Sequence, residues 1–134
     1  MPDKVLLAFD FGQKKIGVAV GNSLTRQARP LTILLPKTRV ERFSQIAALL
    51  EEWQPDQLIV GLPLTIDGQE QEASRACRRF ANQLNGRFDI NVQLVDERGS
   101  SLEAQALLGS HAPDDAMAAA VILQRYLDAL GSLE

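Results

Sequence analysis

At 134 residues the chain is long enough to bury a core of its own and fits one domain, residues 1–134. Its 46% hydrophobic and 23% charged content excludes disordered, collagen-like and fibrous classes. A net charge of −3 argues against a protein that coats nucleic acid through bulk electrostatics, while leaving room for a local basic surface.

The start, Met1-Pro2-Asp3-Lys4, is followed by only five apolar residues before Asp10, so no signal peptide or membrane span is expected. The single cysteine, Cys77, has no disulfide partner and no second cysteine for a metal site, which suits a reducing cytoplasm. Residues 5–9 are continuously apolar, as in a strand buried on both faces, and run into Asp10. Phe11-Gly12-Gln13-Lys14 supplies a tight turn, and residues 15–20 pair back antiparallel as a second strand. Residues 21–29 are polar and loop-like, and residues 30–35 form a short third strand with Pro30 at its start.

Val40, Phe43, Ile46, Ala47 and Leu50 recur at helical spacing, which predicts an amphipathic helix over 38–53. Pro55-Asp56 ends it, and a fourth strand over 57–60 leads into Gly61-Leu62-Pro63. A second helix carries Ala73, Ala76, Cys77, Phe80, Ala81 and Leu84 on one face and closes at Asn85-Gly86. A fifth strand over 90–95 precedes Asp96-Glu97-Arg98. Ser100 or Ser101 caps a short helix through Leu108, and Pro113-Asp114 opens a last helix with Ala119, Ile122, Leu123, Tyr126, Leu127 and Leu130 inward. Three meandering strands followed by alternating helices and strands give an α/β fold. The expected mixed five-stranded sheet has order 3-2-1-4-5, helices on both faces, and edges at the third and fifth strands.

Acids mark the strand and helix ends. An ionised Asp10 at the end of a buried strand is costly unless a metal ion or basic partner compensates it, although Asp is also common in surface turns. Asp115 lies four residues before Ala119 and seven before Ile122, on the inward stripe, with Asp114 about a hundred degrees away as the N-cap. Taken alone, Asp115 would read as a first-turn acid complementing the helix dipole. Alternation groups Asp96 with Ile90, Val92 and Leu94, and Glu97 with Asn91, Gln93 and Val95; this mildly favours Asp96 as the inward acid, while a bend at the strand end would change the choice. Converging carboxylates repel without a cation, and with Mg²⁺ or Mn²⁺ they form a hard-oxygen cage suited to phosphate chemistry.

Lys14 and Lys15 adjoin Asp10 and are candidates for phosphate contact. Arg26 and Arg29 flank the same hairpin. Arg75, Arg78 and Arg79 crowd the polar side of the second helix, equally consistent with a solvated face, and Arg98 is either a phosphate contact or a partner for the acids beside it. Residues 61–68 offer backbone amides without phosphate-loop spacing. Cys77 and Trp53 read as core or core-edge residues, and His111 as a solvated loop residue.

Over nearly its whole length the chain resembles the YqgF/RuvX family of pre-16S ribosomal RNA nucleases, also described as Holliday junction resolvase-like. Four segments in order carry the resemblance: residues 10–20, from Asp10-Phe11-Gly12 to Val20; Gly61-Leu62-Pro63-Leu64 with Asp67-Gly68; Asp96-Glu97-Arg98; and Asp115 leading into Ala119-Ala120-Val121-Ile122-Leu123. The resemblance implies an RNase H-like fold, a metal-dependent phosphodiesterase site, and a role in maturing the 5′ end of small-subunit ribosomal RNA, with ribosomal precursor particles as partners. It maps the site onto Asp10, the Asp96-Glu97 pair and Asp115, and within the pair it favours Glu97 over Asp96, against the alternation. The implied metal ligands are Asp10, Glu97 and Asp115; Lys14, Lys15, Arg98 and Arg78 stand beside them as the nucleic-acid contacts that placement and charge suggest. Two departures stand out: Gly99 occupies a position where the family usually has a bulky apolar residue, and residues 109–113 are shorter and less basic than the family's loop.

The alternatives are a resolvase of branched DNA, which needs a homodimer rather than a monomer to cut two strands symmetrically, and a catalytically silent binding module that holds no metal. Asp10-Phe11-Gly12 with its lysines is also similar to sugar kinases and actin-like ATPases, which enclose a nucleotide between two such domains; one short domain does not supply both.

Overall fold

The computed structural model describes residues 4–65, 67–96 and 115–132. In chain order its elements are β1 (Val5–Phe11), β2 (Ile16–Asn22), β3 (Gln27–Leu34), α1 (Arg39–Trp53), β4 (Gln57–Leu62), α2 (Glu72–Phe88), β5 (Val92–Asp96) and α3 (Asp115–Ser132). The short helix expected through Leu108 lies outside the described residues.

The sheet has the expected order β3-β2-β1-β4-β5. β1 pairs antiparallel with β2 and parallel with β4, and β4 pairs parallel with β5. This places the unbroken apolar run at the centre, where Leu6, Leu7, Ala8 and Phe9 are at most 1% exposed. Alternation divides β1 between two cores. Leu7 and Phe9 join Val18, Leu58 and Val60 beneath α1 and α2, against Phe43, Ile46, Phe80 and Leu84. Leu6 and Ala8 join Ala19 and Ile59 beneath α3, against Ala119, Ile122, Leu123 and Leu127. Helices therefore cover both faces.

Several boundaries differ from expectation. β3 begins at Gln27, and Pro30 sits within it, opposite Ala19, beside a register shift between Val18 and Ala19. An edge strand tolerates a missing N–H, and the irregularity absorbs the proline. α1 buries Phe43, Ile46 and Leu49, whereas Val40 is 82% exposed and Ala47 lies outside the buried stripe. α2 runs past Asn85-Gly86 to Phe88 and stops at Asp89, which is left-handed with φ 51°. Phe88 packs against the core, which favours two more residues of helix. Ala73 of the expected apolar face is exposed, and Ser74 is the buried residue there. Its hydroxyl accepts from Gln71 N at 2.9 Å and donates to Pro63 O, tying the start of α2 to the end of β4.

Candidate active site at the carboxyl end of the central strand

β1 continues two pairs beyond the expected end: Asp10 pairs with Gly17 and Phe11 with Ile16. Asp10 alternates with Leu6 and Ala8, so it belongs to the α3 face, while Phe11 belongs to the α1/α2 face with Phe9. The positions beside Asp10 carry no side chain. Gly17 is its register partner on β2, and Gly61 lies one step beyond the last registered pair with β4, Phe9 with Val60. Glycine at Gly12 lets the following turn close, since a Cβ there would lie 2.7 Å from the Lys15 carbonyl oxygen.

The start of α3 rests on this row. A Cβ built on Gly17 would lie 1.8 Å from the Asp115 carbonyl oxygen and 2.8 Å from Ala116 N. The first residue of α3 is thus seated on the register partner of Asp10, and Ala119 and Ile122, on the stripe of Asp115, are fully buried. Gly21 repeats the pattern about two helical turns along, where a Cβ would meet Leu123 Cδ2 at 2.9 Å. On its α3 face β2 presents Gly17, Ala19 and Gly21, and these small residues let the alanine-rich helix lie close to the sheet.

β5 stays in register with β4 through Asp96, which pairs with Leu62. Leu62 and Leu94 belong to the α1/α2 face, whereas Val95 packs against the α3 core. Asp96 therefore falls at a register position of the face opposite Asp10, which reverses the meaning of its grouping with Val92 and Leu94. The Asp96 carbonyl accepts a hydrogen bond from Arg125 Nη1 of α3 at 3.0 Å. Glu97, Arg98, His111 and Asp114 lie outside the described residues. Among the described residues no three metal-ligating side chains form a group.

The basic candidates divide. Lys14 and Lys15 are exposed at the β1–β2 turn, beside the strand end that carries Asp10. Arg78 is occupied: its Nε donates to Glu70 Oε1 at 2.8 Å and its Nη2 to Glu70 Oε2 at 3.1 Å. These bonds hold the Glu70 carboxyl below its ordinary range and raise the Arg78 guanidinium. The amide cradle over residues 61–68 is largely spent internally, with Thr65 N on the Gln69 carbonyl, Gly68 N on the Thr65 carbonyl and Gln69 N on the Thr65 hydroxyl. Sequence reasoning passed over Arg42. Its guanidinium lies 5.0 Å from the centre of the Phe11 ring, and burial first, then neighbouring Arg39, lowers its pKa. It also passed over Gly17 as a seat for α3; the available signal was small residues at every second position of β2, residues 17, 19 and 21.

A family model described as "RuvX: Holliday junction resolvase" matches residues 4–129. A Bordetella parapertussis protein named "Putative pre-16S rRNA nuclease" is 70% identical over 130 residues, covering 97% of this chain and 98% of its own. A protein of the same name from Paraburkholderia phymatum is 53% identical over 136 residues, covering 98% and 89%. Among solved structures, Thermus thermophilus RuvC in complex with a Holliday junction superposes with a TM-score of 0.61 at 18% identity, covering 96% of each chain. The fowlpox virus Holliday junction resolvase gives 0.61 at 15% identity, covering 94% of this chain and 99% of its own. At these identities the likeness establishes the fold, which is RNase H-like.

Proposed function

Because the chain belongs to the RuvX family, we propose that it is a metal-dependent nuclease that hydrolyses phosphodiester bonds and processes the 5′ end of pre-16S ribosomal RNA in the cytoplasm. The observation that carries this is the seating of Asp115 on Gly17, the register partner of Asp10, at the carboxyl end of the central strand. Residues 1–134 act as one nuclease domain whose partners are precursor RNA and ribosomal precursor particles. Among the described residues no helix is long and apolar enough to cross a membrane.

The donor set suits Mg²⁺ or Mn²⁺, because carboxylate oxygens are the hard ligands these ions select. Gly61 leaves the β4 side of Asp10 without a side chain, and the mutual repulsion of two acids is what a cation relieves. Asp10, Glu97 and Asp115 are the proposed ligands. Glu97 is preferred to Asp96 on the family resemblance, and Asp96 is in register with Leu62, on the face opposite Asp10. When bound, the ions supply an activated water and stabilise charge on the leaving oxygen. The chain's own part is to fix its acids on a central strand and a helix start that cannot shift independently. Lys14, Lys15 and Arg98 hold phosphates next to the scissile one, which positions the substrate without reading its sequence. Arg78 contributes there only by giving up Glu70.

The family's description favours a second reading, resolution of branched DNA. Incubating the protein with labelled pre-16S RNA and with a four-way DNA junction, each with Mg²⁺ or Mn²⁺ and beside an Asp10→Asn control, separates the two. Cleavage of the RNA that needs Asp10 supports the first reading, cleavage of the junction the second. Cleavage of neither leaves a binding module.

A further inference from the structure

The strand end that presents Asp10 to one face of the sheet presents Phe11 to the other, and there a guanidinium lies over the Phe11 ring. Its ring stacks on Phe80 at 4.4 Å between centroids with 22° between planes. The Arg42 guanidinium, from the first turn of α1, lies 5.0 Å from the Phe11 ring centre. Arg42 Nε is buried without a hydrogen-bond partner, and Arg39 is close enough to disfavour its charge. On the α2 side, Phe11, Gly12 and Gln13 line a hollow of about 290 Å³ with Arg79; Glu72 is the acid on its wall. Among the described residues no carboxylate forms an ion pair with Arg39, Arg42 or Arg79, whereas neighbouring Arg78 is fully engaged by Glu70.

Keeping a guanidinium half-buried, beside another cation and without an acid, is unfavourable unless an anion arrives to complete it. Stacking on the Phe11 ring orients that guanidinium in advance, and its planar fork matches two phosphate oxygens. We propose that Arg39, Arg42 and Arg79 form a phosphate track on the α1/α2 side of the β1–β2 turn, which holds the nucleic-acid backbone flanking the phosphate served by Asp10. The proposal rests on the nuclease reading and extends it: the substrate strand passes round the carboxyl end of β1, from the acids on one face to the arginines on the other. Phe11 couples the two, since it is covalently next to Asp10 and in contact with Arg42.

The test is equilibrium binding in EDTA, without cleavage, of a labelled RNA spanning the mature 5′ end of 16S rRNA and of a four-way DNA junction, over a range of salt concentrations. The triple variant Arg39→Gln, Arg42→Gln, Arg79→Gln should bind at least about tenfold more weakly at 0.1 M salt, and the slope of log affinity against log salt should fall by about two. A scrambled RNA of equal length should lose as much, because phosphates carry no sequence. Arg42→Lys should keep the salt slope and lose part of the affinity, since the charge remains and the stacked fork does not. Arg75→Gln, on the same helix but not lining the hollow, should change neither by more than a small part of the triple variant's loss; thermal unfolding of each variant confirms that it is folded. Wild-type affinity and slope in the triple variant would overturn the track and leave the nuclease reading standing. Failure of the wild-type protein to bind either nucleic acid would sink both.

Discussion

Asp10 replaces what would otherwise be another apolar residue on a strand packed from both sides, and its amide and carbonyl belong to the sheet whatever the side chain is. Asp10→Asn and Asp115→Asn are therefore expected to keep the fold and lower cleavage roughly 10²-fold or more, the scale on which one charge-stabilising group acts. Activity assays beside thermal unfolding check this, and full activity in either variant would exclude it from the site. Glu97→Gln should match Asp10→Asn, while Asp96→Asn should retain most activity, because Asp96 pairs with Leu62 on the opposite face. The sequence made this choice look the other way. Alternation grouped Asp96 with the apolar side of β5 correctly, but two apolar sides exist, and only the registered sheet tells which one carries Asp10. Gly17 was harder to read for a different reason: glycine contributes nothing to a hydropathy pattern, and only the small-residue spacing of β2 pointed to it. Gly17→Ala should cost about 1–3 kcal/mol in denaturant unfolding and depress cleavage further than that loss explains, because its Cβ would displace the main chain that carries Asp115.

At the scale of elements, α3 is the keystone. Gln124 accepts from Ala28 N at 3.0 Å and donates to the Arg26 carbonyl at 2.8 Å, Tyr126 OH reaches Gln57 Oε1 at 3.3 Å, and Arg125 holds the end of β5. One helix thus fixes both edges of the sheet relative to Asp115. Gln124→Ala should destabilise the protein by about 1–3 kcal/mol by leaving an amide and a carbonyl unpaired, and Gln124→Glu should not rescue it, because its carboxylate cannot donate to the Arg26 carbonyl and would repel Asp128. The inward stripe of α3 was legible because every third or fourth residue is apolar, whereas ends decided by tertiary contacts were not. α2 passes through Asn85-Gly86 because Phe88 finds the core and Asn85 Nδ2 donates to the Ile90 carbonyl at 2.9 Å. β3 absorbs Pro30 because it is an edge. The Glu70–Arg78 pair at the start of α2 has a defined pH sense. The Glu70 carboxyl is depressed, so its contribution is present at neutral pH and disappears as the pH falls through the acid range. Both groups are exposed, so the effect should be small and removed by salt, which acid titration of wild type against Glu70→Gln will show.

For the whole molecule, topology was the most legible property, because short connections and right-handed crossovers leave few ways to arrange three meandering strands and two helix-linked ones. That arrangement puts β1 at the centre and brings Asp115, about a hundred residues away in sequence, to its carboxyl end. The consequence is thermodynamic linkage between metal and fold. On the proposed reading, acids drawn from a central strand and a late helix serve one cation only in the folded state, so a bound cation stabilises the native state alone, and removing one acid relieves whatever repulsion the pair carries without it. Mn²⁺ at a hundred times its dissociation constant should add about 2.7 kcal/mol, or on the order of 10 °C in unfolding temperature for a chain of this size. Asp10→Asn should abolish that gain, and its metal-free unfolding temperature should equal or exceed that of the wild type because one repelling charge is gone. Differential scanning calorimetry with EDTA and with Mn²⁺ measures both quantities. Equal Mn²⁺ stabilisation of wild type and Asp10→Asn would place the cation elsewhere and detach Asp10 from metal binding, whatever the variant's activity.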